Sequence, residues 1–183
     1  YVRDEELKKN INELNLNTRY FPEIKLSERI RATDYLEEAA VYGNILVLAV
    51  PTHVNRAILK DIKDKTRKDQ IIVSTAKGME EEPFLRNSQI IKEYLDNPIV
   101  VLSGPSHAEE VMRGLPTTVV AAARDKEVAQ LIQKLMMSSK FRVYTNPDVI
   151  GVEIGGAIKN IIAIAAGISD GLGYGDNTKA ALI

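Results

Sequence analysis

The chain has 183 residues, with 24 Lys and Arg against 25 Asp and Glu and a formal charge of −1, which argues against a nucleic-acid-binding or membrane-surface role. Hydrophobic residues make up 45% and charged residues 27%, the balance of a packed chain rather than a disordered one. Cysteine is absent and histidine is limited to His53 and His107, so a disulfide scaffold, a cysteine nucleophile and a thiolate or His-rich metal site are all excluded and no metal is expected.

The chain opens on Tyr1 rather than methionine, which reads as a piece of a longer protein. Tyr1-Val-Arg3-Asp4 reads as the tail of a strand feeding a charged helix over Glu5 to Leu14. A parallel sheet entered in mid-strand implies an upstream strand, Gly-rich phosphate loop and helix outside this sequence. At the end of such a strand an acidic residue bonds a ribose 2′-hydroxyl and a basic one accommodates a 2′-phosphate. Arg3 is followed directly by Asp4, so both choices stand beside that of a solvated strand-end arginine.

Ile45 to Val50 is a continuous apolar run closed by Pro51, and a helix follows over Val54 to Asp64. Strands are expected at Ile71–Val73, Ile99–Leu102, Thr117–Ala121 and Phe141–Tyr144. Helices are expected at Pro83–Leu95, with Pro83 in the first turn, at His107–Arg113, and from an Asp125 cap to Met137. Uniformly apolar strands alternating with helices predict an α/β fold, a doubly wound, Rossmann-like parallel sheet buried on both faces. After Asn146 as cap and Pro147 as first helical residue, Asp148 to Ile168 reads as one long buried helix. Residues 1–147 are thus expected to form an incomplete dinucleotide-binding domain and 148–183 the start of a helical substrate domain.

Ligands of open α/β sheets lie at the carboxyl ends of the strands. His53 falls at that edge and is given no role. Lys77, in Ser74-Thr75-Ala76-Lys77-Gly78, would place a compact cation there, unless it is an ordinary loop lysine. In Ser103-Gly104-Pro105-Ser106-His107-Ala108-Glu109, Ser106 and Glu109 have capping-box spacing and Gly104 would let a ligand reach the backbone. The helix terminus would offer free N–H groups, or serve only as a cap. Lys159, with Gly155 and Gly156 one turn before it and Ala163 one turn after, would sit in a notch of small residues. Partial burial there would suit the amine to proton transfer, the alternative being a packing groove with a snorkelling lysine. Ser169 to Asn177 reads as a Gly- and Asp-rich loop.

Together these strings resemble the bacterial-type NAD(P)-dependent glycerol-3-phosphate dehydrogenases. The resemblance rests on Val50-Pro51, Ala76-Lys77-Gly78, Leu102-Ser103-Gly104-Pro105-Ser106, Phe141-Arg142-Val143-Tyr144, Asn146-Pro147-Asp148 and above all the block from Gly151 to Ile183. It implies reversible hydride transfer between NADH or NADPH and dihydroxyacetone phosphate, giving sn-glycerol 3-phosphate for glycerophospholipid synthesis in the cytoplasm. By matching position it implies Lys159 as general acid/base, with Lys77, Gly104, Ser106, Lys159 and Asn160 around the substrate. Arg3, Lys77 and Ala108 would contact the cofactor. His107 stands where the resemblance implies an aromatic residue.

The resemblance brings no nucleic-acid or membrane partner, and a homodimer only if the apolar helix has lost its natural partner helices. With the Gly-rich loop and later phosphate ligands outside the sequence, this stretch alone is expected to turn over little or nothing. Two further readings stand beside it: a related dehydrogenase of a hydroxy acid or sugar acid, and a non-catalytic nucleotide-binding module.

Overall fold

The computed structural model describes residues 1–182. Helix α1 (Glu5–Leu14) is capped by Asp4, whose carboxylate accepts the Leu7 N–H, and ends where Asn15 turns left-handed at φ 55°. Residues 1–4 form no strand, since among the described residues they pair with no other strand beyond the one bond from the Val2 N–H to the Thr33 carbonyl before the chain enters α1. An antiparallel hairpin, β1 (Leu16–Asn17) and β2 (Phe21–Lys25), follows, then α2 (Leu36–Tyr42). None of these three elements is apparent in the sequence pattern.

The principal sheet has five strands in the order β3 (Ile45–Leu48), β4 (Ile71–Ser74), β5 (Ile99–Ser103), β6 (Thr117–Ala122) and β7 (Phe141–Asn146). Strands β3, β4 and β5 are parallel, as expected. Strand β6 runs antiparallel to β5 and parallel to β7, so the last pair is reversed relative to the first three. The apolar runs signalled burial but carried no information about direction: α5 (Ala108–Met112) is only 5 residues long, and the chain turns back through Gly114, at φ +70°, instead of crossing over.

The sheet is covered on both faces. Helices α3 (Thr52–Ile62) and α4 (Asn87–Lys92) bury Leu59, Ile62, Ile90 and Ile91 against Ile72. Helix α6 (Lys126–Met136), capped by Asp125 as expected, buries Ala129 and Ile132 on the other face with Val73, Val100, Val119 and Val143. Adjacent residues of β4, Ile72 and Val73, thus point into opposite cores, the physical reason for its unbroken apolarity. Strand β3 is one of the two edges, and its Val47 is 43% exposed.

Helix α4 is shorter than expected. Phe84 has φ +63° and Met79 bridges Arg86, so residues 79–86 double back and the helix begins only at Asn87.

Helix α7 (Val149–Gly171) begins two residues later than expected. Its cap is Asp148, accepting the Gly151 N–H, while Asn146 accepts the Asp148 N–H. Helix α8 (Asp176–Leu182) follows, so the loop read over Ser169 to Asn177 shrinks to residues 172–175. By length and composition α7 could cross a membrane. It is not a buried helix: Ile161, Ile164 and Ile168 are exposed, and within the helix only Glu153 and Ser169 are fully covered.

Only one of the two glycines before Lys159 makes a close approach. A Cβ on Gly156 would lie 2.7 Å from Ser103 Oγ, whereas Gly155 has nothing within 4 Å of that position. Gly155→Ala should therefore raise stability by about 0.5–1 kcal/mol through helix propensity. Gly156→Val should lower it by about 1–3 kcal/mol through overpacking. Thermal melts of the two variants read the difference, and equal shifts would mean that α7 is not seated on β5.

Candidate functional site

The carboxyl ends of β4 and β5 each release a loop whose glycine is forced into the left-handed half of conformational space. Gly78 has φ +139° and Gly104 has φ +147°. A side chain at Gly104 would also meet backbone, with Thr118 O and Val119 Cα each 2.9 Å from a built Cβ. These turns hold Lys77 and Ser106 side by side, so that the Lys77 ammonium donates to Ser106 Oγ at 3.1 Å and Ser106 Oγ donates to the Gly104 carbonyl at 3.2 Å. Thr75, Leu102 and Val119 join these two residues around a hollow of about 290 Å³.

Ser106 is therefore not the helix cap its spacing with Glu109 suggested. His107 takes the N-cap position without a side-chain cap bond and pairs with Glu109 instead. The physical reason is competition: the Ser106 hydroxyl is already used between Lys77 and Gly104.

Helix α7 passes over this edge at Gly156, whose built Cβ would also lie 3.9 Å from Lys77 Cγ. Lys159 is one turn further along the same face. It is exposed, not half-buried as expected, and its ammonium donates to Asn160 Oδ1 at 2.9 Å. Burial first, and the charge of Lys159 second, hold the Lys77 ammonium below the ordinary lysine range. The two amines thus share one electrostatic field.

Because folding lowers this pKa, the folded state binds the Lys77 proton less readily than the unfolded chain. The linked stability is present above the ordinary lysine pKa and is lost as pH falls through the depressed one. Lys159→Met should raise the Lys77 pKa part of the way to normal, leaving only the burial effect. Lysine-selective NMR titration measures it; an unmoved Lys77 would mean that the amines are electrostatically independent.

The expected cofactor contacts are not drawn into this cluster. Arg3 is exposed ahead of α1 and makes no hydrogen bond or ion pair among the described residues, while its neighbour Asp4 is occupied in capping. Ala108 is exposed in the first turn of α5.

Four residues that the sequence did not single out hold the site together. Glu153, on α7 and buried, accepts from Arg86 Nη1 at 2.6 Å, from the Ser88 N–H at 2.8 Å and from Ser88 Oγ at 2.6 Å. Between those donors, Asn87 donates to the carbonyls of Ala76 (3.3 Å) and Gly78 (3.0 Å) on the Lys77 loop. Glu153 was visible as one carboxylate in an otherwise apolar stretch; nothing marked Arg86, Asn87 or Ser88.

The chemistry of the donors fits an anionic or polarised-oxygen ligand such as a dinucleotide and its substrate. The Lys77 ammonium and the Ser106 hydroxyl meet where Gly104 and Gly156 leave the backbone uncovered, at the strand ends where such cofactors lie, and the Lys159 ammonium is near enough for its charge to act on Lys77.

The sequence matches two family profiles, the NAD-dependent glycerol-3-phosphate dehydrogenase N-terminus over residues 1–129 and the corresponding C-terminus over residues 148–183. The chain belongs to the NAD-dependent glycerol-3-phosphate dehydrogenase family. Glycerol-3-phosphate dehydrogenase [NAD(P)+] of Halothermothrix orenii is 64% identical over 183 residues, covering 100% of this chain and 54% of the relative. The enzyme of the same name from Clostridium acetobutylicum is 54% identical, covering 99% of this chain and 55% of its own length. Among solved structures, glycerol-3-phosphate dehydrogenase of Coxiella burnetii superposes with TM-score 0.85 at 31% identity, over 98% of this chain and 55% of that one. The Plasmodium falciparum glycerol-3-phosphate dehydrogenase gives TM-score 0.90 at 28% identity, over 98% of this chain and 51% of that one. The chain spans about half the length of the curated relatives it matches.

Proposed function

We propose that the full-length protein transfers a hydride between NAD(P)H and dihydroxyacetone phosphate, giving sn-glycerol 3-phosphate for glycerophospholipid synthesis in the cytoplasm. The observation that carries this reading is the Lys77–Ser106 pair beside Gly104, under the α7 turn that carries Gly156 and leads to Lys159, in a chain of this family. A bound nicotinamide would supply or accept the hydride.

The residues of this chain do the rest. As a C2 carbonyl is reduced, negative charge develops on its oxygen, and the Lys159 ammonium stabilises that charge and delivers the proton. In the reverse direction the neutral amine removes the hydroxyl proton. Asn160, bonded to the Lys159 amine at 2.9 Å, orients it. Lys77 and Ser106 bind the substrate's oxygens, Lys77 also facing the cofactor, while Gly104 keeps the backbone low enough for close approach. Arg3 and Ala108 are the remaining proposed cofactor contacts, and Arg3 would favour a 2′-phosphate.

Residues 1–147 would carry the cofactor and the segment from residue 148 would open the substrate domain. The apolar face of α7 would be covered within the whole protein or by a second copy, with neither nucleic acid nor membrane as partner.

The test is an assay of the full-length protein. NAD(P)H oxidation should be rapid with dihydroxyacetone phosphate and at least about 10⁴-fold slower with unphosphorylated dihydroxyacetone, because buried partners of the phosphate would be left unpaired. Preference for an unphosphorylated keto acid would assign the protein to the alternative dehydrogenase reading.

A further inference from the structure

We propose that Arg86, Asn87 and Ser88, at the start of α4, form a positioning bracket that fixes the Lys77 loop and the Lys159 helix relative to one another. Alternate members of this tripeptide face opposite clients. Arg86 and Ser88 grip Glu153 with three bonds, at 2.6, 2.8 and 2.6 Å, one of them from a backbone N–H. Asn87 reaches the other way, to Ala76 O and Gly78 O, the carbonyls on either side of Lys77.

The two grips are stiff for different reasons. Glu153 is 7% exposed, so its charge has no water to fall back on and must keep its donors. Asn87 is 2% exposed, and its carboxamide oxygen accepts from Asn55 Nδ2 at 2.6 Å, with Asn55 wholly buried on α3. That bond fixes which edge of the Asn87 amide faces the Lys77 loop, leaving its NH2 for the two carbonyls. The loop is thereby hung from α3 and α4.

On α7, Glu153, Gly156 and Lys159 recur every three residues, so each is a near neighbour of the next along the helix surface. Anchoring Glu153 sets the rotation of α7 that seats Gly156 on Ser103 and brings Lys159 over the Lys77 side. A helix slipped or turned by one residue would lift Glu153 off α4 and swing Lys159 by about 100°.

The bracket residues themselves touch neither reacting atoms nor cofactor in this scheme; they act through the two lysines. The proposal rests on the catalytic reading above, and its test therefore includes a measurement that needs no turnover.

In full-length protein freed of other cysteines, Lys77→Cys and Lys159→Cys are introduced together and cross-linked with a short bis-maleimide. The rate is compared with the bracket intact, with Glu153→Ala, and with the paired change Asn55→Leu and Asn87→Leu. That pair removes both amides at once and so leaves neither unpaired. Cross-linking should slow about tenfold or more in each altered background. In the lysine-bearing enzyme the same changes should lower kcat by roughly 10²-fold, since an ångström of misplacement costs about that much. Glu153→Gln, which keeps an acceptor for the Ser88 N–H, should recover part of kcat. Should Glu153→Ala not fold, Glu153→Gln and the leucine pair carry the test.

Undiminished cross-linking in these backgrounds would overturn the bracket. Slower cross-linking with kcat unchanged would leave the bracket standing and overturn the catalytic reading of the lysines.

Discussion

Lys159→Ala in the full-length protein should lower kcat on the order of 10³-fold while leaving cofactor affinity within about twofold. The effect arises from differential charge. The bound ketone is neutral and the developing alkoxide is not, so an ammonium beside it gains most of its interaction only as the hydride arrives. No other cation sits on α7's substrate-facing turn, and Lys77 is held by Ser106 on the neighbouring loop. Lys159→Arg should rescue little, because a planar guanidinium remains charged and cannot pass a proton at neutral pH. Steady-state rates together with cofactor titration make the distinction; a loss confined to KM would reassign Lys159 to substrate binding.

Gly104→Ala should be the most disruptive single-methyl change in the chain. Its cost has two parts that add: a backbone at φ +147°, and a new carbon 2.9 Å from both Thr118 O and Val119 Cα. The obstructing atoms are backbone of the adjacent strand β6, so relief requires separating β5 from β6 at the mouth of the site. A loss of about 3 kcal/mol or more is expected from strain and overpacking together. Gly114 supplies the comparison: φ is +70° there but nothing lies within 4 Å, so Gly114→Ala should cost only about 1 kcal/mol. Urea melts of the two variants separate conformational strain from collision. Equal losses would place the whole effect in φ and remove the close approach from the account.

The difference between those glycines also shows what a sequence can disclose. Gly104, Lys77 and Lys159 stand out in the sequence because they follow apolar strands or interrupt an apolar helix, where their presence needs a reason. The layers were legible for the same cause: Ile72 and Val73 are adjacent and both apolar because each fills a different core. Strand direction was not, since burial looks alike in β5 and β6 whichever way the chain runs.

Side chains with two plausible employers were misjudged. Ser106 had the spacing of a cap and works on Lys77 instead. Asp4, left open beside Arg3 as a strand-end residue, has its side chain on the first turn of α1 as a cap. Asn146 yielded the cap of α7 to Asp148, and Pro147 yielded the first helical position to Val149. In each case local spacing allowed a bond, and a tertiary neighbour or a competing backbone N–H decided it. Glu153 and Asn87 escaped notice because their partners lie 65 residues and 11 residues away, beyond any local pattern.

The most direct test of the central claim is a structure of the full-length protein with NAD(P)+ and glycerol 3-phosphate bound. The Lys159 amine should lie within hydrogen-bond reach, about 2.6–3.2 Å, of the C2 hydroxyl oxygen, with Lys77 on the same ligand. An amine turned to bulk water, or engaged only with the substrate phosphate while another group meets the C2 oxygen, would contradict it.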